Sequence, residues 1–256
     1  MSVTRTILWR YFIVLPRSGP EHTMDKMVPV NGIRTITLDL DDTLWDIHPV
    51  IKRAEHSLYS WLGEHYPRIT GMFSIEEMRI LRDDVFERHP DKLHDLTFLR
   101  YTVLTEAATA AGYTEFMVDE AFAVFDRVRN DIELFPESRP TLVALAERFT
   151  LIAVTNGNAN LEMIGIDDLF DHHINAAMAG AAKPARPIFD AAVRAGGASA
   201  AETLHVGDHP VYDVHGAREA GLRTVWVNRT EATWPEEHAA PDLTVRHVGE
   251  LLDVLL

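Results

Sequence analysis

The chain has 256 residues and 46% of them are hydrophobic, which excludes global disorder and allows one large domain or a core with one inserted domain. Its formal net charge of −15 argues against nucleic-acid and anionic-membrane partners, because both carry negative charge. The absence of cysteine excludes disulfides, thiolate metal sites and cysteine nucleophiles and fits a cytoplasmic protein, and no apolar run approaches the ~20 residues of a membrane span.

The first feature in chain order is an N-terminal extension, residues 1–30, that connects with no later element. Its apolar stretch, residues 7–15, is short, is interrupted by Arg10 and lacks the small-residue cleavage site of a signal peptide. We expect this extension to be unstructured and dispensable, with Met24 or Met27 as an alternative start.

Residues 33–38 form a short run rich in branched side chains, which predicts a buried parallel strand. Asp39, Asp41 and Asp42 follow it directly, at the carboxyl edge of a sheet, where open α/β folds bind ligands. Alternation along the strand lets Asp39 and Asp41 face the same cleft, where two carboxylates repel unless a proton or a cation lies between them. A hard cation such as Mg²⁺ suits this pair; the alternative is that Asp41 or Asp42 caps the following helix.

Helical periodicity extends from residue 46 to about residue 133, with no strand pattern in between. Ser74 and Glu77 form a capping-box pattern at the start of one helix. The predicted helices cover about residues 51–62, 74–89, 99–110 and 118–125. Four helices without a strand predict a small bundle rather than part of a parallel sheet.

From residue 134 onward, strands and helices alternate, which is typical of an α/β core. The predicted strands cover residues 151–154, 173–176, 203–206 and 224–227. The predicted helices cover about residues 142–149, 184–195, 211–220 and 248–255. Together with the first strand, they predict a parallel sheet with helices on both faces.

Two of the polar motifs in this second half offer donors to an anion. Thr155, Asn156 and Gly157 follow a buried strand and present a hydroxyl, an amide and loop N–H groups, although Asn-Gly is also a common turn. Lys183 precedes a predicted helix whose dipole would add to its charge, although, taken alone, a solvated loop lysine is the better explanation.

A further motif joins a predicted strand to a predicted helix. Gly207 and Asp208 follow the strand, and Asp213 comes five residues after Asp208. Taken alone, Asp208 is explained equally well as a helix N-cap.

In this order, the motifs resemble the four motifs of the haloacid dehalogenase superfamily. The first is Asp-Leu-Asp-Asp-Thr-Leu at residues 39–44, and the resemblance covers about residues 34–230. It implies a Rossmann-like three-layer parallel sheet core with an inserted helical-bundle cap domain of the C1 type. The expected division is a core of residues 31–45 and 134–256 and a cap of residues 46–133.

The resemblance also implies a metal-dependent phosphoryl transfer at the first motif. Asp39 would attack phosphorus to form an aspartyl phosphate, and Asp41 would act as the general acid and base. Mg²⁺ would be held by the carboxylates of Asp39 and Asp208 and by the backbone carbonyl of Asp41.

The remaining motif residues are expected to neutralise and orient the phosphoryl group. Lys183 and Thr155, with Asn156 and loop amides, would bind the phosphate oxygens. Asp213 would orient Lys183 or a metal-bound water.

Several functions share this core. Asp41 argues against the dehalogenase branch, which needs no acid at that position. A phosphomutase would use the same residues, and a non-catalytic binding protein would be expected to have lost Asp39, Asp41 or Lys183, none of which is lost. We therefore expect a phosphatase of a small phosphorylated metabolite, a monomer or homodimer.

Within the superfamily, residues 38–46, 93–100 and 155–159 resemble the flavin mononucleotide phosphatase subgroup. We therefore expect a phosphate ester of about that size. A flat ring could stack on Trp45, Phe98 or Tyr101, and Arg100 could bind a polar edge of the substrate. The alternative is that Phe98 and Tyr101 pack inside the helical bundle.

Overall fold

The structure is a computed structural model that describes residues 32–256, so the prediction for residues 1–30 lies outside the described residues. Its centre is a sheet of six parallel strands in the order β3-β2-β1-β4-β5-β6. The strands are β1 (Thr35–Leu38), β2 (Thr150–Thr155), β3 (His172–Asn175), β4 (Thr203–Gly207), β5 (Arg223–Val227) and β6 (Leu243–Val245). The predicted α/β fold with a parallel sheet is confirmed.

Strand β1 lies in the middle of the sheet, between β2 and β4. Leu38 at its end is in register with Ala153 of β2 and Val206 of β4. Because the chain builds the sheet outward in both directions from β1, the strand order reverses between β1 and β4. Ligands of open α/β sheets bind at such a reversal, beyond the carboxyl ends of the strands.

The connection between β1 and β2 begins with a group of helices. These are α1 (Ile47–His65), α2 (Pro67–Met72), α3 (Ile75–Arg88), α4 (Leu96–Ala110) and α5 (Val118–Arg129). The predicted capping box is present, with the Glu77 amide 3.2 Å from the Ser74 hydroxyl. Sequence periodicity missed α2, because its six residues, beginning at Pro67, are too few to show a helical repeat.

The remaining helices flank the sheet. They are α6 (Ser138–Ala146), α7 (Leu161–Ile164), α8 (Ala176–Ala179), α9 (Arg186–Gly196), α10 (Gly216–Glu219) and α11 (Leu251–Leu255). The predicted helix over residues 211–220 is divided into a π-helix (Pro210–His215) and α10. No helix among residues 32–256 is long and apolar enough to cross a membrane.

The helices α1–α5 and the sheet have separate hydrophobic cores. One cluster is formed by helical residues such as Leu58, Leu104 and Phe125, whereas Leu38 and Leu204 belong to a cluster on the sheet. The proposed division into a core domain and a cap domain stays a prediction, which this separation supports.

The chain leaves the sheet for α1 and returns from α5 at one place. Trp45 pairs with Leu134 in an antiparallel bridge, and the amide of Phe135 donates to the carbonyl of Leu44 at 2.9 Å. The hydroxyl of Ser138 donates to the same carbonyl, also at 2.9 Å. The two connecting segments therefore lie side by side, next to the end of β1.

Candidate active site

The end of β1 turns sharply and thereby presents two carboxylates. The Asp39 amide still donates to the Val206 carbonyl of β4 at 2.9 Å, so Asp39 is held in line with the sheet. Asp42 then adopts a left-handed conformation (φ 61°), which Asp tolerates better than most residues. Asp42 also accepts the Ile47 amide at 3.1 Å, so the capping alternative holds in part for Asp42, while Asp46 is the N-cap of α1.

Lys183 lies beside Asp39 and is almost fully buried, which excludes the solvated-loop alternative. Its Nζ is 2.5 Å from Asp39 Oδ1, 2.6 Å from Asp213 Oδ1 and 3.1 Å from the Val154 carbonyl oxygen. Burial alone would lower the pKa of Lys183, but the charges of Asp213 and Asp39 raise it well above its usual range. Lys183 is therefore a fixed positive charge between two carboxylates.

The motif after β2 fixes the backbone of Lys183. The Lys183 amide donates to Asn156 Oδ1 at 2.6 Å, and Asn156 Nδ2 donates to the Lys183 carbonyl at 3.0 Å. The Gly157 amide donates to Thr155 Oγ1 at 2.9 Å. Asn156 thus uses its amide oxygen and one N–H to position Lys183, whereas the sequence suggested a phosphate donor.

Asp213 accepts hydrogen bonds on both carboxylate oxygens. Oδ1 is bonded to Lys183 and lies 3.2 Å from His205 Nε2, and Oδ2 accepts the His209 amide at 2.9 Å. Burial would raise the pKa of Asp213, but Lys183 and His205 hold it well below its usual range. A Cβ on Gly207 would lie 2.3 Å from the Asp213 carboxyl carbon, so this packing requires glycine.

His205, in the middle of β4, extends this network to β1. Its Nδ1 lies 2.8 Å from Thr37 Oγ1, and the whole side chain is buried. Burial lowers the pKa of His205, so the ring is neutral at pH 7 and has one N–H to donate. We assign that N–H to Nε2, facing the Asp213 carboxylate, with Nδ1 accepting from Thr37. His205 was not assigned to the site from the sequence, although a histidine inside a largely apolar strand was a signal for it.

Asp41 is held from two sides by residues that the sequence did not assign to the site. Arg129 Nη2 lies 2.9 Å from both Asp41 oxygens, and Trp45 Nε1 donates to Asp41 Oδ1 at 2.9 Å. Trp45 is fully buried, so the suggestion that it stacks on a substrate ring is wrong. Ala121, Phe125 and Arg129 are buried positions four residues apart on α5. A charged residue in this otherwise apolar stripe was the sequence signal that could have assigned Arg129 to the site.

Oxygen atoms of Asp39, Asp208 and Asp213 all lie within 4.8 Å of one another. Burial, followed by repulsion from Asp213 and Asp39, raises the pKa of Asp208 well above its usual range. Burial also raises the pKa of Asp39, to about 7, against the opposing effect of Lys183. The ionised forms of these carboxylates are therefore unfavourable unless a positive charge lies between them. Because the cluster offers only oxygen ligands, a hard divalent cation fits it.

Within this cluster, Asp39 and Asp208 are better placed as ligands than Asp213. Both Asp213 oxygens already accept hydrogen bonds from Lys183, His205 and the backbone. The sequence-predicted pair of metal-binding carboxylates therefore lies together at the ends of β1 and β4.

Arg100, which was predicted from the sequence to contact the substrate, lies in α4, and its guanidinium carbon is 3.4 Å from the centre of the Phe125 ring. Burial lowers the pKa of Arg100 to about 10. Across residues 32–256 it forms no hydrogen bond with the strand-end carboxylates. Tyr101 packs on Phe122 with 4.9 Å between ring centres, which favours the packing alternative for Tyr101, while Phe98 is 37% exposed.

A cleft of about 570 Å³ lies between the helices and the sheet. Thr97, Phe122 and Asp126 line it from α4 and α5, and Asn158 lines it just after the Thr155-Asn156-Gly157 motif. Asp39, Asp41, Lys183 and Asp208 are not among its lining residues, so it lies beside the strand-end carboxylates and has room only for the organic part of a small substrate.

Comparison of the sequence with known protein families agrees with this arrangement. Residues 33–221 match the model of the haloacid dehalogenase-like hydrolases, and the chain belongs to that family of hydrolases.

Two curated relatives are matched along nearly their whole length. The 5-amino-6-(5-phospho-D-ribitylamino)uracil phosphatase YigB of Escherichia coli is 31% identical over 238 residues, covering 89% of this chain and 98% of the relative. The phosphoserine phosphatase of Thermus thermophilus is 35% identical over 257 residues, covering 88% and 98%. A solved structure described as 2-haloacid dehalogenase from Pseudomonas syringae is 37% identical, with a TM-score of 0.82 and coverage of 87% and 98%.

Proposed function

We propose that the protein is a Mg²⁺-dependent phosphatase that hydrolyses a small phosphate monoester through an aspartyl phosphate. The observation that carries this proposal is the pairing of Asp39 with Lys183 at 2.5 Å, with Asp41 held beside them by Arg129. In this proposal Asp39 is the nucleophile, Lys183 is the fixed positive charge and Asp41 is the acid–base group.

The side chains divide the chemistry as follows. Asp39 attacks phosphorus, forming an acyl phosphate bond as the ester P–O bond breaks, and Asp41 gives its proton to the leaving oxygen. Asp41 then takes a proton from the water that hydrolyses the acyl phosphate, which restores both residues. Lys183 stabilises the charge on the transferred group throughout.

Asp39 and Asp208, with the backbone carbonyl of Asp41, would hold Mg²⁺. The cation would supply charge neutralisation between the anionic nucleophile and the anionic phosphate. The raised pKa values of Asp39 and Asp208 support this assignment, because these carboxylates lack enough positive charge among the side chains around them.

For the substrate, we propose a phosphate ester that carries a flat heterocycle, of which flavin mononucleotide is the first candidate. Support comes from the cleft beside Phe122 and from the Escherichia coli relative, whose name describes a phosphorylated ribityl-aminouracil. Binding such a ring away from the reacting atoms would orient the phosphate for attack.

A second candidate function is dehalogenation, favoured by the 37% identity to the Pseudomonas syringae structure. Loss of a halide needs no proton from the enzyme, so a carboxylate at Asp41 would have no task in that reaction. The presence of Asp41, fixed by Arg129 and Trp45, favours the phosphatase.

The test is phosphate release with Mg²⁺ from flavin mononucleotide, a phosphorylated ribityl-aminouracil, a nucleoside monophosphate, a hexose phosphate, phosphoglycolate and phosphoserine. Chloride release from 2-chloropropionate is measured in parallel, and Asp39→Asn is the inactive control. We expect kcat/KM to be highest for a heterocyclic ester. A hexose phosphate or phosphoglycolate better by about tenfold would overturn the substrate class, and chloride release without phosphate release would overturn the phosphatase.

A further inference from the structure

Arg129 is a buried charge on the last turn of α5, just before the chain returns to the sheet. It is 2% exposed, and its ion pair in the described part of the chain is with Asp41. Asp41 itself belongs to the loop after β1. The contact therefore joins the helical region to the proposed acid–base group.

This contact is poorly explained by stability alone. An ion pair with one fully buried member gains little over apolar packing, because the Arg129 guanidinium loses its hydration, while the Asp41 side chain stays 24% exposed. Moreover, Arg129 Nη1 is buried and has no hydrogen-bond partner among residues 32–256. Buried polar atoms without a partner are uncommon, so this nitrogen calls for an explanation other than stability.

The surroundings of Asp41 are built to keep this contact. Trp45 Nε1 holds Asp41 Oδ1 from the other side, so the carboxylate has a defined orientation. Gly157 leaves the space that the pair occupies, since a Cβ there would lie 2.9 Å from Asp41 Oδ2 and 3.1 Å from Arg129 Nη2. Two side chains thus fix one carboxylate, and a glycine leaves room for the contact.

We propose that Arg129 is a positioning residue that orients Asp41 for proton transfer to the leaving group. The inference rests on the proposed phosphatase function and adds a residue to it. In the step concerned, the ester P–O bond breaks while the proton moves from the Asp41 carboxyl group to the departing oxygen. An alkoxide needs that proton, whereas p-nitrophenolate leaves readily without it.

The experiment measures kcat/KM with Mg²⁺ for Arg129→Met on two esters, a primary alkyl phosphate and p-nitrophenyl phosphate. We expect a loss of about 100-fold or more on the alkyl ester, the usual contribution of general acid catalysis, and a loss below about tenfold on p-nitrophenyl phosphate. Asp41→Asn should show the same pattern. The double variant should lose nothing further on the alkyl ester, because both changes remove the same effect.

Arg127→Met is the matched control, because Arg127 lies on the same helix and is exposed. It should leave both rates unchanged. Gly157→Ala is a second variant that displaces the Arg129–Asp41 contact without removing the charge, and it should show the same dependence on the leaving group if Arg129→Met does not fold.

Equal losses on the two esters, in variants that melt like the parent protein, would overturn the positioning role. A further loss of about tenfold on the alkyl ester when Arg129→Met is added to Asp41→Asn would also overturn it, because Arg129 would then act independently of Asp41. A parent protein that releases phosphate from neither ester would overturn the phosphatase itself, which is a different result.

Discussion

Lys183 and Asp213 form a buried ion pair, with 2.6 Å between Nζ and Oδ1, and Asp39 lies one hydrogen bond further along. His205 and Thr37 continue the network on the other side of Asp213. The network therefore starts at Thr37 on β1, crosses to β4 and the π-helix, and returns through Lys183 to Asp39, next to the end of the same strand. It thus connects the proposed nucleophile directly to Lys183 and, beyond it, to Asp213, His205 and Thr37.

Replacing Lys183 should affect both stability and activity. Lys183→Met leaves two buried carboxylates without their positive partner, so we expect a loss of about 3–5 kcal/mol in the free energy of unfolding and no measurable turnover. Denaturant unfolding without metal measures the first effect. Lys52→Met, at an exposed position of α1, should change stability by less than about 0.5 kcal/mol. A loss below about 1 kcal/mol in Lys183→Met would contradict the role of this ion pair.

Asp39→Asn should abolish turnover while the fold is kept, because the amide has nearly the shape of the carboxylate. Loss of the covalent step should raise the barrier by on the order of 8 kcal/mol or more. Steady-state kinetics on the best ester and circular dichroism check the two parts. Activity within about tenfold of the parent protein would exclude the aspartyl-phosphate route.

Metal binding should stabilise the protein more at about pH 8 than at about pH 5. Burial raises the pKa of Asp39 to about 7, so between the ordinary carboxyl pKa and pH 7 the folded state binds more protons than the unfolded state. Stability without metal therefore falls as pH rises through this window, and the raised pKa of Asp208 acts in the same direction. Mg²⁺ would remove this loss by binding the ionised carboxylates.

The measurement for this prediction is the melting temperature with Mg²⁺ and with a chelator at both pH values. We expect the gain from Mg²⁺ to be small at about pH 5 and larger at about pH 8. Asp208→Asn should reduce the gain at the higher pH. An equal gain at both values in the parent protein would contradict the assignment of these carboxylates as ligands.

His205 should be a neutral ring with its proton on Nε2. Nitrogen chemical shifts of histidine-labelled protein report the tautomer, and the His205→Asn variant assigns the signal. Because burial lowers the pKa of His205 in the fold, the unfolded state takes up a proton first as pH falls, and this residue then reduces stability below its ordinary pKa of about 6.5. A proton on Nδ1, or titration at the ordinary pH, would contradict the network.

The strand-end residues could be predicted from sequence because each is placed by local structure. Asp39, Asp208 and Thr155 directly follow or end apolar strands, and parallel strands end at one edge of a sheet. Strand β6 could not be predicted, since it has three residues and only Val245 is buried. The π-helix was also missed, because its six residues are too few for the pattern of a wider turn to be distinguished from that of an ordinary helix.

Where the role of a residue depends on packing between distant segments, the sequence predicted a different role for it or the residue was missed. Asn156 bonds to Lys183, 27 residues away, and Arg129 bonds to Asp41, 88 residues away. Neither pairing has a local sequence pattern, because it depends on how one element is placed against another. Trp45 was taken for a substrate contact because its position next to the motif was visible and its burial was not.

The bridge between Trp45 and Leu134 gives the intervening segment two adjacent ends. Segments joined in this way can be exchanged for others of different length without moving the strands that flank them. A related protein could thus acquire a new substrate by replacing the helices while keeping the strand-end residues. Trp45 and Arg129 limit such a replacement, because both contact Asp41. The new segment would have to begin after Trp45 and include an arginine that contacts Asp41.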